Sequence, residues 1–495
     1  MADMATPSLG ASAKSARGTA YMVATGNPYA AQAAQQMLKA GGSAIDAAIA
    51  ADAVMGVVEP MATSIGGDLL AMICSPEGKA ESYNGTGRAP AALDIKAIEA
   101  LPGSRIPERH PYSVTTPGAV RGWHDLHQRY GRLDWAMLLK PAIELARNGF
   151  NIAPVSAREW RLFDPVLHAE PTCARLYRAG NPPQAGESLQ NEELAATLEM
   201  IALEGADAFY HGRIPEAASA AVQAMGGFLQ PSDFYEHTGN FCEPVSTEFR
   251  GTRVHQCPPN THGVAILHAL EAIQAHGGDP ADPSTWVQLV QSTANAMKHA
   301  AKTVSDPSGN TVCTVVVDAS GLAITLMSSI FKRFGCGIAV PGGGFVLQNR
   351  GFGFATPGHI NGPAPRKRPY HTVVPGITTR NGRFYLGMGV VGGLMQPQGQ
   401  IQILTRTLAW STSLRNALDA PRMRLEAGDT LAIEDGTLES ITQALREAGY
   451  PPPKKGVGEL GGRSDFGGAH AIMRHEDGTL EGAADMRKDG ACIGE

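Results

Sequence analysis

The run Thr311-Val-Cys-Thr-Val-Val-Val317 constrains the fold of this chain more than any other stretch. Its β-branched residues suit a strand. The polar turn Asp318-Ala-Ser-Gly321 follows and an apolar segment returns, so 311–317 and 322–327 are predicted to form a β-hairpin. Further strands are expected at 69–74, 372–379, 383–388, 469–474 and 480–484. Helical patterning covers 30–39 and the Ala-rich run 43–55, with Ser43 as its N-cap, then most of 118–226 and 286–303. Residues 1–18 read as a disordered tail. Strands and helices alternate in both halves, which gives an α/β or α+β chain.

The 495 residues allow about three domains or one large unit. Hydrophobic residues make up 43% and charged residues 18%, enough for a sizeable core and too apolar for wholesale disorder. A net charge of -6 supplies no electrostatic footprint for nucleic acid or an anionic membrane. Seven scattered cysteines, an odd number with no C-x-x-C pair, read as reduced thiols. The first residues lack an apolar signal region, and a cytoplasmic location is expected. There is no H-E-x-x-H and no zinc-spaced Cys/His pair, so neither metal nor cofactor is expected.

The hairpin opens on Gly309-Asn310-Thr311, which taken alone is an ordinary loop-to-strand join. Its neighbours along the chain give it another meaning. Gly41-Gly-Ser-Ala-Ile-Asp46, Val57-Val-Glu-Pro60 with Gly66-Gly67, Ser113-Val-Thr-Thr-Pro-Gly118 and Tyr130-Gly-Arg-Leu133 occur in order. Gly205-Ala-Asp-Ala-Phe-Tyr-His-Gly212, Pro258-Pro-Asn-Thr-His-Gly263 and Asp485-Met-Arg-Lys-Asp-Gly490 follow. Each block is weak evidence, but their order and spacing resemble the γ-glutamyltransferase family over about residues 20–494.

That resemblance implies an α+β fold, the four-layer αββα sandwich of the N-terminal nucleophile hydrolases. It also implies a precursor cut between Asn310 and Thr311, with 19–310 as the large subunit and 311–495 as the small one. The two would form one interleaved domain, and this pair could assemble as a homodimer. Thr311 would be the nucleophile. A Thr hydroxyl needs a base beside it, and a freed α-amine, with an ordinary pKa of about 7.7–8.0, supplies one near neutral pH. The resemblance also makes Ser329 a hydroxyl that hydrogen-bonds the nucleophile, and Gly392 and Gly393 the backbone donors of an oxyanion hole.

Several γ-glutamyl contacts are replaced. Thr86 stands where transpeptidases carry a carboxylate-gripping Arg, Phe331 and Phe352 replace an Asn and an Asp, and His371-Thr372 replace paired serines. Phe at two polar positions would leave an amino acid's charged groups unpaired, which is costly. The run Phe331-Lys-Arg-Phe-Gly-Cys-Gly337, with Gln348-Asn-Arg-Gly351 and Met395-Gln-Pro-Gln398, is more similar to the branch with oxamate amidohydrolase and related acylases. Arg88, Arg350, Arg333, His371 and Thr372 become candidates to hold a small carboxylate-bearing amide. Glutathione or γ-glutamyl hydrolysis and a non-catalytic homologue are the alternatives.

Overall fold

A computed structural model describes residues 13–276, 278–304, 310–426, 429–453 and 462–495. The β-branched run forms the expected hairpin: Asn310–Val317 pairs antiparallel with Ala323–Phe331. This hairpin lies at the middle of a seven-stranded antiparallel sheet. Met22–Thr25 and Ala491–Gly494 continue the sheet on one side, and Asp68–Cys74, Ala80–Asn84 and Asn240–Cys242 on the other. A second seven-stranded antiparallel sheet runs Ser15–Gly18, Leu480–Ala484, Gly468–Arg474, Arg383–Val391, Gly376–Arg380, Thr252–Gln256 and Val245–Phe249.

The sheets stack face to face. Met22, Leu70, Met72, Cys313, Val315 and Met327 of the first meet Ile377, Phe384, Val391 and Ile472 of the second in one buried cluster. Gly389 sets the closeness of this contact, because a Cβ there would lie 2.6 Å from the Cys313 sulfur and 2.7 Å from that of Met327. Helices cover both outer faces. Ala44–Val58 is apolar on nearly all sides and wholly buried beneath the first sheet, as its Ala-rich sequence requires. Ser43 caps it in a reciprocal capping box with Asp46. Gly263–His276, Pro283–Thr303 and Met395–Leu404 cover the second sheet. The four-layer helix–sheet–sheet–helix order is the one implied by the resemblance.

Each sheet contains strands from both sides of residue 310. The length-based allowance of three domains therefore corresponds to one interlaced sandwich. Two local expectations change. Ser15–Gly18, expected in a disordered tail, is an edge strand on Leu480–Ala484, because its backbone groups complete an otherwise open sheet edge. The earlier part of that tail, 1–12, lies outside the described residues. The strand expected from 372 begins instead at Gly376, since Pro375 has no N–H for the ladder.

Candidate active site

Thr311 lies where the central strand starts, and the local register places it deliberately. Asn310 opposes Phe331 while Val312 opposes Ser328, so a bulge on the return strand sets Ser329 and Ile330 against Thr311. Thr311 is 2% exposed. Its Oγ1 accepts a hydrogen bond from Gln396 Nε2 at 2.7 Å. Along the sheet its other neighbour, Met22–Thr25, ends short of it, with pairing stopping at Thr314–Thr25. A cavity of about 20 Å³, room for about one water, opens beside Thr311 and is lined by Glu59, His470 and Val391, among others.

Val391 ends its strand, and Gly392 and Gly393 then turn the chain into the helix Met395–Leu404. Their φ values of 115° and 60° lie where side chains fit poorly. Their carbonyls accept from Met395 and Gln396 N–H, while neither of their own N–H groups has an acceptor among the described residues. Two unspent donors beside a buried hydroxyl suit the stabilisation of a developing oxyanion. Replacing the contributing glycine by Pro removes its N–H and is expected to lower kcat by about 10²-fold or more, read on the folded fraction because a proline φ near about −65° strains a position held at positive φ. Unchanged turnover in a folded, correctly cut variant overturns that role.

A second buried polar group surrounds Asp68, which opens the strand Asp68–Cys74. Asp68 Oδ1 accepts from Gly87 N–H at 2.7 Å and Gln348 Nε2 at 2.8 Å. His371 Nε2 lies 3.2 Å from Oδ2, and Arg350 Nε lies 3.9 Å from it. Burial pushes the Asp68 carboxyl up, but the His371 hydrogen bond and the charges around it outweigh burial and hold it below its usual value. His371 Nδ1 accepts from Val373 N–H at 3.3 Å, which leaves the ring proton on Nε2, facing Asp68. Burial and the adjacent Arg350 push His371 down to about 4, so it is neutral at physiological pH.

Arg350 is fully buried and, of the other predicted substrate residues, contacts Thr372. It donates to Ser329 Oγ at 3.0 Å and to Thr372 Oγ1 at 3.3 Å, and its guanidinium stacks 4.1 Å from the Phe331 ring centroid. Burial pushes it down to about 9 and Asp68 opposes that, so it keeps its charge. Phe331 holds φ at 77°, a strained value for a bulky residue, and its ring lies 5.9 Å from Phe352. The positions that carry Asn and Asp in transpeptidases are thus an aromatic shelf under a guanidinium.

Ser329 and Arg333 each have side-chain partners of their own. The Ser329 hydroxyl accepts from Arg350 and from Phe331 N–H, and the bond expected from it to Thr311 is made by Gln396 instead. Ser329 lies in the bulge opposite Thr311 and its hydroxyl meets Arg350. Arg333 pairs with buried Glu159 at 2.6 Å, while its Nε has no hydrogen-bond partner among the described residues and its side chain lines the cavity beside Thr311. Arg88 lies half-buried. It donates only to the Thr238 carbonyl, at 3.2 Å, and has no acidic partner among the described residues. Thr86 is buried and bonded to Asn84.

Asp68 and Gln396 were not expected. Asp68 follows the Gly66-Gly67 pair as the lone acid at the start of an apolar strand, and Gln396 lies three residues after Gly393. Both are visible signals, but only partners far along the chain give them a role. No group of three or more His, Cys, Asp or Glu side chains among the described residues could hold a metal, and no helix is long and apolar enough to cross a membrane.

The family model described as gamma-glutamyltranspeptidase matches residues 30–309 and 301–495. The chain is 32% identical to a glutathione hydrolase-like YwrD proenzyme of Bacillus subtilis, over 97% of this chain and 99% of that protein. It is also 32% identical to the oxamate amidohydrolase proenzyme of Klebsiella pneumoniae, over 94% and 96%. Among solved structures, the cephalosporin acylase of Bacillus halodurans superposes with a TM-score of 0.90 at 30% identity, covering 100% of this chain and 99% of that one.

Proposed function

Because this chain belongs to the γ-glutamyltranspeptidase family, we propose that it is a precursor that cuts itself between Asn310 and Thr311 and then hydrolyses the amide bond of a small carboxylate-bearing amide, oxamate-like. The observation that carries the proposal is Thr311 itself, a buried strand-initial hydroxyl held by Gln396 beside the unspent Gly392 and Gly393 donors. Relatives named as proenzymes support a two-subunit product of one chain.

The chemistry balances on Thr311. Its Oγ forms a bond to the substrate carbonyl carbon as the Oγ–H proton passes to the α-amine. The tetrahedral oxyanion collapses, the C–N bond breaks, and the leaving nitrogen takes that proton. Water then adds to the acyl ester, giving its proton to the amine. The Oγ–C bond breaks, the acid departs, and the proton returns to Oγ. In the self-cleavage step Oγ bonds to the Asn310 carbonyl carbon, the peptide C–N bond breaks and the Oγ–H proton ends on the departing Thr311 nitrogen. Water then hydrolyses the resulting ester, releasing Asn310 as a carboxylic acid, returning a proton to Oγ and leaving the freed α-amine as the base used afterwards.

Substrate class follows from which cations are free. Arg350 is already engaged by Asp68, Ser329 and Thr372, whereas Arg88 has no acidic partner among the described residues. An α-ammonium would meet Phe331 and Phe352 in place of polar groups, an unpaired charge that a short acid amide does not bring. Such mismatches can separate substrates by as much as about 10⁴-fold. On cut enzyme, kcat/KM for oxamate and other short acid amides is expected to exceed that for γ-glutamyl-p-nitroanilide. Arg88→Ala is expected to raise KM for the acid amides about tenfold or more, because their carboxylate loses its charge partner. Efficient γ-glutamyl release without turnover of the short amides moves the assignment to γ-glutamyl hydrolysis. The similarity to the glutathione hydrolase-like relative favours that second reading.

A further inference from the structure

Gln396 is fully buried in the first turn of Met395–Leu404, and its amide is fixed at both ends. Oε1 accepts from Val374 N–H at 3.3 Å, which leaves Nε2 as the end that reaches Thr311 Oγ1 at 2.7 Å. Its own N–H is bonded to the Gly393 carbonyl at 3.0 Å. One rigid turn therefore carries both free glycine donors and a donor aimed at the threonine oxygen. Val374 lies two residues from Thr372, so the same amide also ties Thr311 to the loop that contacts Arg350.

An amide nitrogen can only donate. Thr311 Oγ1 must therefore accept from it, and its own proton is directed elsewhere, free to pass to the threonine's amine. Charge gathers on Oγ twice: when it gives up its proton to attack, and when it leaves the acyl carbon in hydrolysis of the ester. A fixed donor at 2.7 Å in a buried site stabilises both moments without reorganisation.

We propose that Gln396 is a catalytic hydrogen-bond donor to the nucleophile oxygen, serving both self-cleavage and turnover in the role first expected of Ser329. The proposal rests on Thr311 being the nucleophile, and its test separates the two ideas. Gln396→Met keeps approximate size and loses the donor. It is expected to slow self-cleavage and lower kcat by about 10²-fold, with KM little changed and the melting temperature near that of wild type. Gln396→Glu gives a readout that mere packing would not move. An ionised Glu cannot donate, while a protonated one can. Its activity relative to wild type is expected to rise as pH is lowered from about 8 to about 5, where the carboxyl takes up its proton. This ratio carries the test if Gln396→Met does not fold. A flat ratio, or wild-type cleavage and kcat in folded Gln396→Met, overturns the role of Gln396. Thr311→Ala run alongside tells the ideas apart: cutting in that variant overturns the nucleophile itself, whereas its absence leaves the nucleophile standing whatever Gln396 does.

Discussion

Thr311→Ala is expected to accumulate as a single uncut chain with no measurable amidase activity, a loss of at least about 10⁴-fold. The wild-type protein is expected to yield fragments 1–310 and 311–495, the second beginning at Thr311. The reason is chemical economy, since one oxygen attacks the peptide before it and later the substrate. Removing it stops the first step, and without that step the α-amine that would serve as base is never freed. The fold should survive. Alanine fits the strand, and the largest structural penalty is the Gln396 donor left without an acceptor, about 1–3 kcal/mol. Thr311→Ser keeps the oxygen and is expected to cut, which separates the hydroxyl from the rest of the side chain. A denaturing gel with N-terminal sequencing checks all three. Cleavage in Thr311→Ala at the wild-type rate would falsify the mechanism.

Asp485→Ala is expected to cost about 3–5 kcal/mol of stability. Asp485 is fully buried between Arg422, at 2.5 Å, and Arg487, at 3.0 Å, and it accepts N–H groups from Ala469 and Arg487. Arg487 also pairs with buried Glu434 at 2.5 Å. Deleting Asp485 leaves Arg422 with carbonyl partners but no anion in a dry interior. Arg422 donates to the Phe466 carbonyl, and the next residue, Gly467, packs against Gly392, so the loss should also loosen the backbone behind the proposed oxyanion donors. Burial alone would push Asp485 up, but the two guanidiniums outweigh it and hold the carboxyl well below its usual range. With the folded pKa depressed, its contribution is present above the unfolded value of about 4 and disappears only as pH falls through the much lower folded value. Urea unfolding should therefore show a large gap between wild type and variant at neutral pH that narrows in strong acid. The double variant with Arg422→Met should cost less than the two single changes together, because it removes both members of one pair. A neutral-pH difference within about 0.5 kcal/mol, the range of an ordinary surface change, would count against the network.

Much of the architecture is legible along the chain, for local reasons. The β-branched run and its polar turn set the central hairpin through neighbours only a few residues apart. Ser43 and Asp46 are three apart and cap a helix whose unbroken apolar surface requires burial. The glycines at 392 and 393 stand where the backbone needs positive φ. The family, and with it the layer order, was readable because its sequence blocks keep their order over the whole length. Edge strands such as Ser15–Gly18 were not readable, because a short polar segment becomes a strand only when a partner edge is offered.

The site was decided by long-range geometry. His371 and Asp68 are 303 positions apart, and Gln396 and Thr311 are 85 apart. Which polar groups meet depends on strand order, on register, and on one bulge between Asn310 and Val312. At that bulge Ser329 meets Arg350, and the Thr311 oxygen is left to Gln396. Arg333, Arg350 and Arg88 are equivalent as letters, yet the fold pairs the first with Glu159, buries the second against Asp68 and Phe331, and leaves the third half-buried with no acidic partner among the described residues. A buried charge takes whatever counter-charge the packing brings within reach, because leaving it unpaired costs several kcal/mol. Side-chain identity along the sequence thus determines which groups are available, and tertiary packing determines which of them remain free for a substrate.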